Sequence, residues 1–448
     1  MSVPTRLTRP IRTARTARAI QPRRFTDARK AVLATVVAGL LAAAGGVAAA
    51  APASATVTLA AAGCPQTVAA QGFPIEPLEA TAGGIVTRTA GAFPPGVQLN
   101  ALGTVLFGEP SAVGRYRFRL QLTVTDPTGA IVTSEVNCAI TVQQAPKVNR
   151  IGGADRYAQA IALSAAAFPT ADLAYVVTGE RFADALSAGS VGAQHHAPLL
   201  LTPSGALPNG LIDELKRLKV KDVVIVGGVN AVSAAVERAL RSGSGAEVTR
   251  IGGADRYEVS RALISDARFG MPKTSSIFLA TGTDFPDALT ATPAAFTDGS
   301  PVMLVNGRAA TLSSAEIGTL DNFGVREATI VGGPLTVSDA LLKDITTRFA
   351  AERLAGADRY ATGAIVNHDV FKSASRVFIA SGATFPDALS GGVPAGVSSN
   401  PLYVTTPECL SPEVYFEIGR LAPVDVTILG GLKAVGPALD TLTPCALD

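Results

Sequence analysis

From residue 148 to the end, the chain alternates two hydrophobic patterns. Short β-rich runs such as Tyr175-Val-Val-Thr, Phe278-Leu-Ala-Thr and Val224-Ile-Val are apolar at successive positions, as in strands buried on both faces of a parallel sheet. Between them, stretches such as Tyr157–Ala167 and Gly210–Leu218 space their apolar residues as an amphipathic helix does. Strand, glycine turn, helix, strand is the βαβ pattern, and its recurrence predicts α/β units with doubly wound parallel sheets. Residues 58–145 read differently. Arg115-Tyr-Arg-Phe-Arg-Leu-Gln-Leu-Thr-Val-Thr125 alternates polar and apolar with a period of two, the mark of a half-buried strand. Turns at Phe93-Pro-Pro-Gly96, Gly108-Glu-Pro110 and Asp126-Pro-Thr-Gly129 divide the segment, which predicts an all-β sandwich.

The α/β part is triplicated. Arg150-Ile-Gly-Gly-Ala-Asp-Arg-Tyr157 recurs as Arg250-Ile-Gly-Gly-Ala-Asp-Arg-Tyr257 and as Arg353-Leu-Ala-Gly-Ala-Asp-Arg-Tyr360. Each copy continues with a run ending in glycine (Gly179, Gly282, Gly382) and then Phe182-Ala-Asp-Ala-Leu186, Phe285-Pro-Asp-Ala-Leu289 or Phe385-Pro-Asp-Ala-Leu389. Next comes a strand opened by proline: Pro198-Leu199-Leu200-Leu201, Pro301-Val302-Met303-Leu304 and Pro401-Leu402-Tyr403-Val404. A hydrophobic-Gly-Gly close follows at Gly228, Gly333 and Gly431. The expected repeats are 148–249, 250–352 and 353–448, each long enough for a three-layer α/β domain with its own core.

The N-terminus changes the picture of charge. Residues 1–30 hold nine basic residues against one acid, Asp27, and an Ala-rich apolar run with a small-x-small site at Ala53-Ser54-Ala55 follows. These are the parts of a secretory signal peptide, expected over 1–55. Arg23-Arg24 invites a twin-arginine reading, which Asp27 weakens. Of the 38 basic and 36 acidic residues, 29 and 35 remain beyond residue 30, a net of −6. Nucleic acid binding thereby loses the basic field it needs. The four cysteines, none in a C-x-x-C pair, offer no zinc or redox motif. In an oxidising compartment they suggest two disulfides, Cys64–Cys138 and Cys409–Cys445.

Enzymatic chemistry finds little footing. His195 and His196 align with Asp298 and Gly299 in the second copy, so they stand outside the triplicated design, and His368 is the one other histidine. There is no G-x-S-x-G, H-E-x-x-H, Walker A or dinucleotide fingerprint, so neither a reaction nor a cofactor is expected. In the repeated motif, Asp155, Asp255 and Asp358 stand where helices begin and are placed to cap them. Arg156, Arg256 and Arg359 follow in the first turn, where a cation opposes the helix dipole, which implies a partner. That partner is either a carboxylate inside the fold, with the recurring Asp184, Asp287 and Asp387 as candidates, or an anionic ligand outside it.

The ordered combination of G-[GA]-x-D-R-Y, F-[PA]-D-A-L, the proline-opened strand and the hydrophobic-Gly-Gly close resembles the cell wall binding repeat type 2 family over residues 148–448. The resemblance implies exported Gram-positive surface proteins that use three α/β units, in a pseudo-threefold arrangement, to attach non-covalently to an anionic secondary polymer of the wall. It also implies polymer contact near the proline-opened strands, at the junctions between units. In the third copy Tyr403 and Ala355 depart from the other two, so a different groove is expected there. An accessory role beside a wall hydrolase is the alternative. Residues 58–145 resemble the immunoglobulin-like domains of bacterial surface proteins through Pro-Pro-Gly, a Gly-x-Pro turn, Gly-x-Tyr-x-Phe and Thr123-Val-Thr-Asp126.

Overall fold

The computed structural model describes residues 64–80, 84–125, 129–182, 185–284 and 286–446. The expected signal segment 1–55 and Asp184 lie outside these residues.

Among the described residues seven strands precede the repeats: β1 (Val68–Ala70), β2 (Leu78–Glu79), β3 (Ile85–Gly91), β4 (Val97–Leu99), β5 (Val105–Gly108), β6 (Gly114–Thr125) and β7 (Ile131–Gln143). They form a four-stranded sheet, β1-β7-β6-β3, and a three-stranded sheet, β2-β5-β4. All pairings are antiparallel except β1 with β7. The alternation in β6 sends Phe118, Leu120, Leu122 and Val124 into a core separate from that of the repeats, and turns Arg115, Arg117 and Arg119 outward. Cys64 and Cys138 are bonded within this β-module, and Cys409 and Cys445 are bonded near the C-terminus.

The other twelve strands among the described residues form three parallel sheets. They are β8 (Lys147–Ile151), β9 (Leu173–Thr178), β10 (Leu199–Thr202), β11 (Asp222–Val226), β12 (Glu247–Ile251), β13 (Ser276–Thr281), β14 (Val302–Val305), β15 (Glu327–Val331), β16 (Ala350–Leu354), β17 (Arg376–Ser381), β18 (Leu402–Thr405) and β19 (Asp425–Leu429). The sheet orders are β10-β9-β11-β12, β14-β13-β15-β16 and β18-β17-β19-β8. The strand that opens each sequence repeat therefore pairs backward. β12 joins the sheet of the first repeat and β16 that of the second. β8, the first strand of all, pairs with β19 from Asp425↔Lys147 to Leu429↔Ile151 and closes the three units into a ring.

One contiguous hydrophobic core runs through all three units, in place of the separate core expected for each repeat. The reason lies in the three helices that follow the glycine turns: α2 (Leu186–Gln194), α6 (Pro286–Asp298) and α10 (Pro386–Val397). These pack against one another in the middle of the ring, and their side chains are buried nearly all round. Small residues allow this: a Cβ at Gly189 would lie 2.7 Å from Oγ1 of Thr292, and one at Gly392 3.0 Å from the methyl of the same threonine. A helix apolar on every side belongs inside a protein. No helix among the described residues is long and apolar enough to cross a membrane.

The β-module docks on α11 (Pro412–Leu421) of the third unit. Tyr415 donates its hydroxyl to the Gly72 carbonyl at 2.8 Å and stacks 5.0 Å from Phe73, while the Gln66 amide donates to the Gly419 carbonyl at 2.8 Å.

Candidate functional site

Three helices begin with the repeated motif: α1 (Arg156–Ala167), α5 (Arg256–Ser265) and α9 (Arg359–Val370). Asp155, Asp255 and Asp358 cap them, each carboxylate accepting from two backbone N–H groups of the first turn at 2.8–2.9 Å. The next residue spends its cation on the backbone. Arg156, Arg256 and Arg359 each donate Nη1 to the carbonyl of the glycine that follows the first core strand: Gly179, Gly282 and, at 2.8 Å, Gly382. The tyrosine rings complete the arrangement. A Cβ on any of those glycines would fall 2.6–2.7 Å from Tyr157, Tyr257 or Tyr360, so a larger residue there would push the tyrosine ring aside.

The arginines also reach the preceding unit of the ring. The guanidinium of Arg156 lies 5.8 Å from the ring centroid of Phe385, and that of Arg256 lies 5.8 Å from that of Phe182. Each motif thus sits at a junction, beside the carboxyl ends of its neighbour's strands. The chain leaves β13 for β14 on one side and returns across it to β15, so the strand order reverses between β13 and β15. In open α/β sheets, the crevice outside the carboxyl ends at such a reversal is where ligands bind. At the junction of the second and third units that crevice is a cavity of about 290 Å³. Asp284 and Asp287 form one wall, Gly333–Thr336 another, and Gly356–Arg359 of the next motif the third.

Asp287 lines this cavity and Asp387 holds the matching position in the third unit; they are 8% and 7% exposed. Each lies against the first glycine of its Gly-Gly turn: a Cβ at Gly332 or Gly430 would be 2.5 Å from a carboxylate oxygen. Both glycines have positive φ, +115° and +118°, so the pair meets a steric and a conformational demand together. Burial pushes both carboxyl groups up to about 6. For Asp287, the hydrogen bond from Thr336 and the charge of Arg359 act in the opposite direction, and Asp284 adds to the rise. For Asp387 it is Arg156 that opposes burial. The recurring acids therefore feel the recurring arginines electrostatically across the junction, whereas the close contact of each arginine is with a carbonyl. Near pH 6 these acids are half neutral, which lowers their repulsion of an anion.

An exposed apolar residue follows each Gly-Gly turn, and at the junction of the second and third units that residue, Leu335, lines the cavity. Val229, Leu335 and Leu432 follow the three Gly-Gly turns with 60%, 94% and 62% of their surface open. Because their identities and exact offsets differ, no repeated letter marks them in the sequence; the signal was the hydrophobic residue just past each glycine pair.

The proline-opened strands lie elsewhere. Pro198, Leu199, Leu200, Leu201, Pro301, Val302, Met303, Leu304, Pro401, Leu402, Tyr403 and Val404 are all buried. As edge strands they carry helices on both faces, so these side chains meet core and not solvent; they support the junction from beneath. Tyr403 likewise does not alter a groove surface. Its hydroxyl donates to Glu417 at 2.8 Å inside the third unit, where Glu417 also receives His368 Nδ1 at 2.9 Å and Arg420. Burial alone would raise the Glu417 carboxyl, but these bonds outweigh it and hold it at about 2. Ala355 is accommodated for a simple reason: at the matching Gly152 and Gly252 a Cβ would meet nothing nearer than 3.4 Å.

Comparison with known proteins agrees with this architecture. Cwp6 from Clostridium difficile superposes with a TM-score of 0.61 at 20% identity, over 84% of this chain and 67% of that one. Cwp8 from the same organism gives 0.59 at 22% identity, over 73% and 58%. Both share the fold. Among curated proteins, the N-acetylmuramoyl-L-alanine amidase LytC of Bacillus subtilis is 31% identical over 288 residues, 64% of this chain and 56% of its own length. The amidase enhancer of Bacillus subtilis is 27% identical over 266 residues, 59% and 34%. The chain thus spans about half of the first relative and a third of the second. The description of cell wall binding domain 2 (CWB2) matches three times, over residues 150–237, 250–342 and 353–440. With more than half its length matched in three tandem copies, the chain belongs to the CWB2 cell wall binding family.

Proposed function

We propose that the ring holds this protein non-covalently on the bacterial cell wall by binding an anionic secondary wall polymer in its junction grooves. The observation that carries the reading is the recurrence of one construction at each junction: an arginine-bearing helix start from one unit, set against the strand ends and apolar lip of the unit before it. A polymer of repeating units meets such sites several at a time, and linked weak contacts gain avidity through high effective concentration. The chain acts in this reading by binding and not by turnover, after export directed by residues 1–55, and the β-module is an immunoglobulin-like domain presented outward. Co-sedimentation of the protein with wall sacculi, before and after chemical stripping of their secondary polymers, tests it. Binding that disappears on stripping is expected; equal binding to both preparations would place the ligand in peptidoglycan.

A second reading rests on the curated relatives, one named as an amidase and the other as an amidase enhancer. Here the ring positions or modulates a separate wall hydrolase. An increase in wall lysis by a purified amidase when this protein is added would favour it.

A further inference from the structure

We propose that the outer face of the β-module is itself a binding site for a linear polyol- or sugar-phosphate chain, separate from the grooves of the ring. Arg115, Arg117 and Arg119 occupy successive outward positions of β6 and are exposed. Alternation places them on one face in steps of about 7 Å. Their neighbours across the sheet are small: Thr141 opposite Arg115, Ala139 opposite Arg117 and Asn137 opposite Arg119. Ala90 and Gly91 of β3 flank the other side, so Arg117 and Arg119 line an open trough of about 510 Å³, and Arg115 extends the stripe beyond it along β6.

The charges of this stripe are largely unspent. Arg119 bonds Asn137 at 3.0 Å and pairs with Glu135 at 3.5 Å. Arg115 and Arg117 have no hydrogen-bond or ion-pair partner among the described residues. Three like charges in line repel one another and contribute nothing to the core behind them. They do so in a chain whose residues beyond 30 carry a net of −6, so the stripe opposes the overall field.

The chemistry of the face selects the ligand. Guanidinium forks recognise phosphate oxygens two at a time, and a row of them matches evenly spaced monoanions. The trough offers no platform for base stacking, because the one aromatic residue beneath it, Phe118, points into the core with 4% exposure. Single-stranded nucleic acid binds through such platforms. A chain of phosphodiesters joined by small polyols or sugars needs none. No residue of the ring takes part in this face.

The test uses the chain from residue 56 onward, so that the nine cations of residues 1–30 are removed along with residues that lie outside the described structure. A fluorescent glycerol phosphate oligomer is titrated by anisotropy at two salt concentrations, with a single-stranded DNA oligomer of equal charge for comparison. The double variant Arg115→Gln/Arg117→Gln removes the unpartnered cations, and its circular dichroism and melting should match the parent. Expected is a loss of affinity of roughly tenfold or more, with the log–log salt slope falling by about 1.4 for two lost phosphate contacts. The same stripe-dependent loss should appear when the ring lip is altered by Leu335→Asp, which separates this site from the grooves. An unchanged affinity and slope would overturn the proposal. So would DNA binding as tight as that of the oligomer and equally sensitive to the variant.

Discussion

Closure of the ring depends on Arg150, and truncating its side chain gives a graded prediction across the three copies. Arg150 sits on β8 with 18% of its side chain exposed. It donates to the carbonyls of Gly430, Val435 and Gly436 at 2.8, 2.9 and 3.2 Å and to Asp440 at 2.9 Å. The equivalent Arg250 reaches one carbonyl, Gly227 at 2.9 Å, and Glu237, which keeps Arg241 if Arg250 is lost. Arg353 makes one long bond to Ser338 at 3.4 Å and an ion pair at 3.2 Å with Asp339, itself 77% exposed. Two of its nitrogens, Nε and Nη1, are buried without a partner among the described residues. With net values of about 1 kcal/mol per ordinary hydrogen bond and up to about 3 when a charge is involved, Arg150→Ala should cost about 3–5 kcal/mol. Arg250→Ala should cost about 2–3, and Arg353→Ala about 1 or less. Urea titration followed by circular dichroism gives the totals, since the chain has no tryptophan. Amide hydrogen exchange gives the location: in Arg150→Ala the protection lost should centre on 147–151 and 425–429, whose pairing closes the ring. A cost below 1 kcal/mol for Arg150→Ala, or a larger one for Arg353→Ala, would show that ring closure does not rest on Arg150.

Three further outcomes follow from particular contacts. Asp287 and Asp387 keep their protons to about pH 6 in the folded chain, against 3.8 as the ordinary value. The folded state therefore binds more protons between these limits, and stability should fall as pH rises from 4 to 6.5, by about 3 kcal/mol per group at most. Asp287→Asn/Asp387→Asn should flatten that fall in urea titrations, and wall binding by the parent should strengthen from pH 8 to pH 5.5. Reducing the Cys409–Cys445 bond opens a 36-residue separation and should cost about 3–4 kcal/mol by loop entropy, read as exchange near Leu410 and Cys445, whose backbones are paired. Gly419→Val would force a side chain onto the Pro74 carbonyl, which lies 2.0 Å from where a Cβ would be; it should release the β-module, visible as faster proteolysis after residue 143 with the ring intact.

The repeat, its strands and its helix starts were legible because they rest on local signals. Periodicity separates Tyr175-Val-Val-Thr from Tyr157–Ala167, and an aspartate before an amphipathic run is a cap wherever it occurs. The ring was not legible as drawn. Nothing in Lys147–Ile151 says whether it pairs within its own repeat or with a strand 278 residues away, because parallel pairing is long-range and each partner offers the same apolar face. The same ambiguity holds for Leu199–Leu201, which are buried: a fully apolar edge strand reads alike whether it supports a groove or lines one. Tyr403 stood out in the sequence, but its partner Glu417 is in a different element, so its role in a buried network could not be read from spacing. The exposed lip residues lacked a shared identity. The cysteines could be paired because each pair brackets one segment, and both pairs are bonded.

The claim that the ring binds wall polymer at its junctions is tested most directly by altering the groove lips and leaving the fold untouched. Val229, Leu335 and Leu432 are exposed, so Val229→Asp/Leu335→Asp/Leu432→Asp should fold and melt as the parent does. Calorimetric titration with polymer released from purified walls should then show affinity at least tenfold weaker than for the parent. Undiminished binding by the folded triple variant would contradict the account and move the polymer site away from the unit junctions.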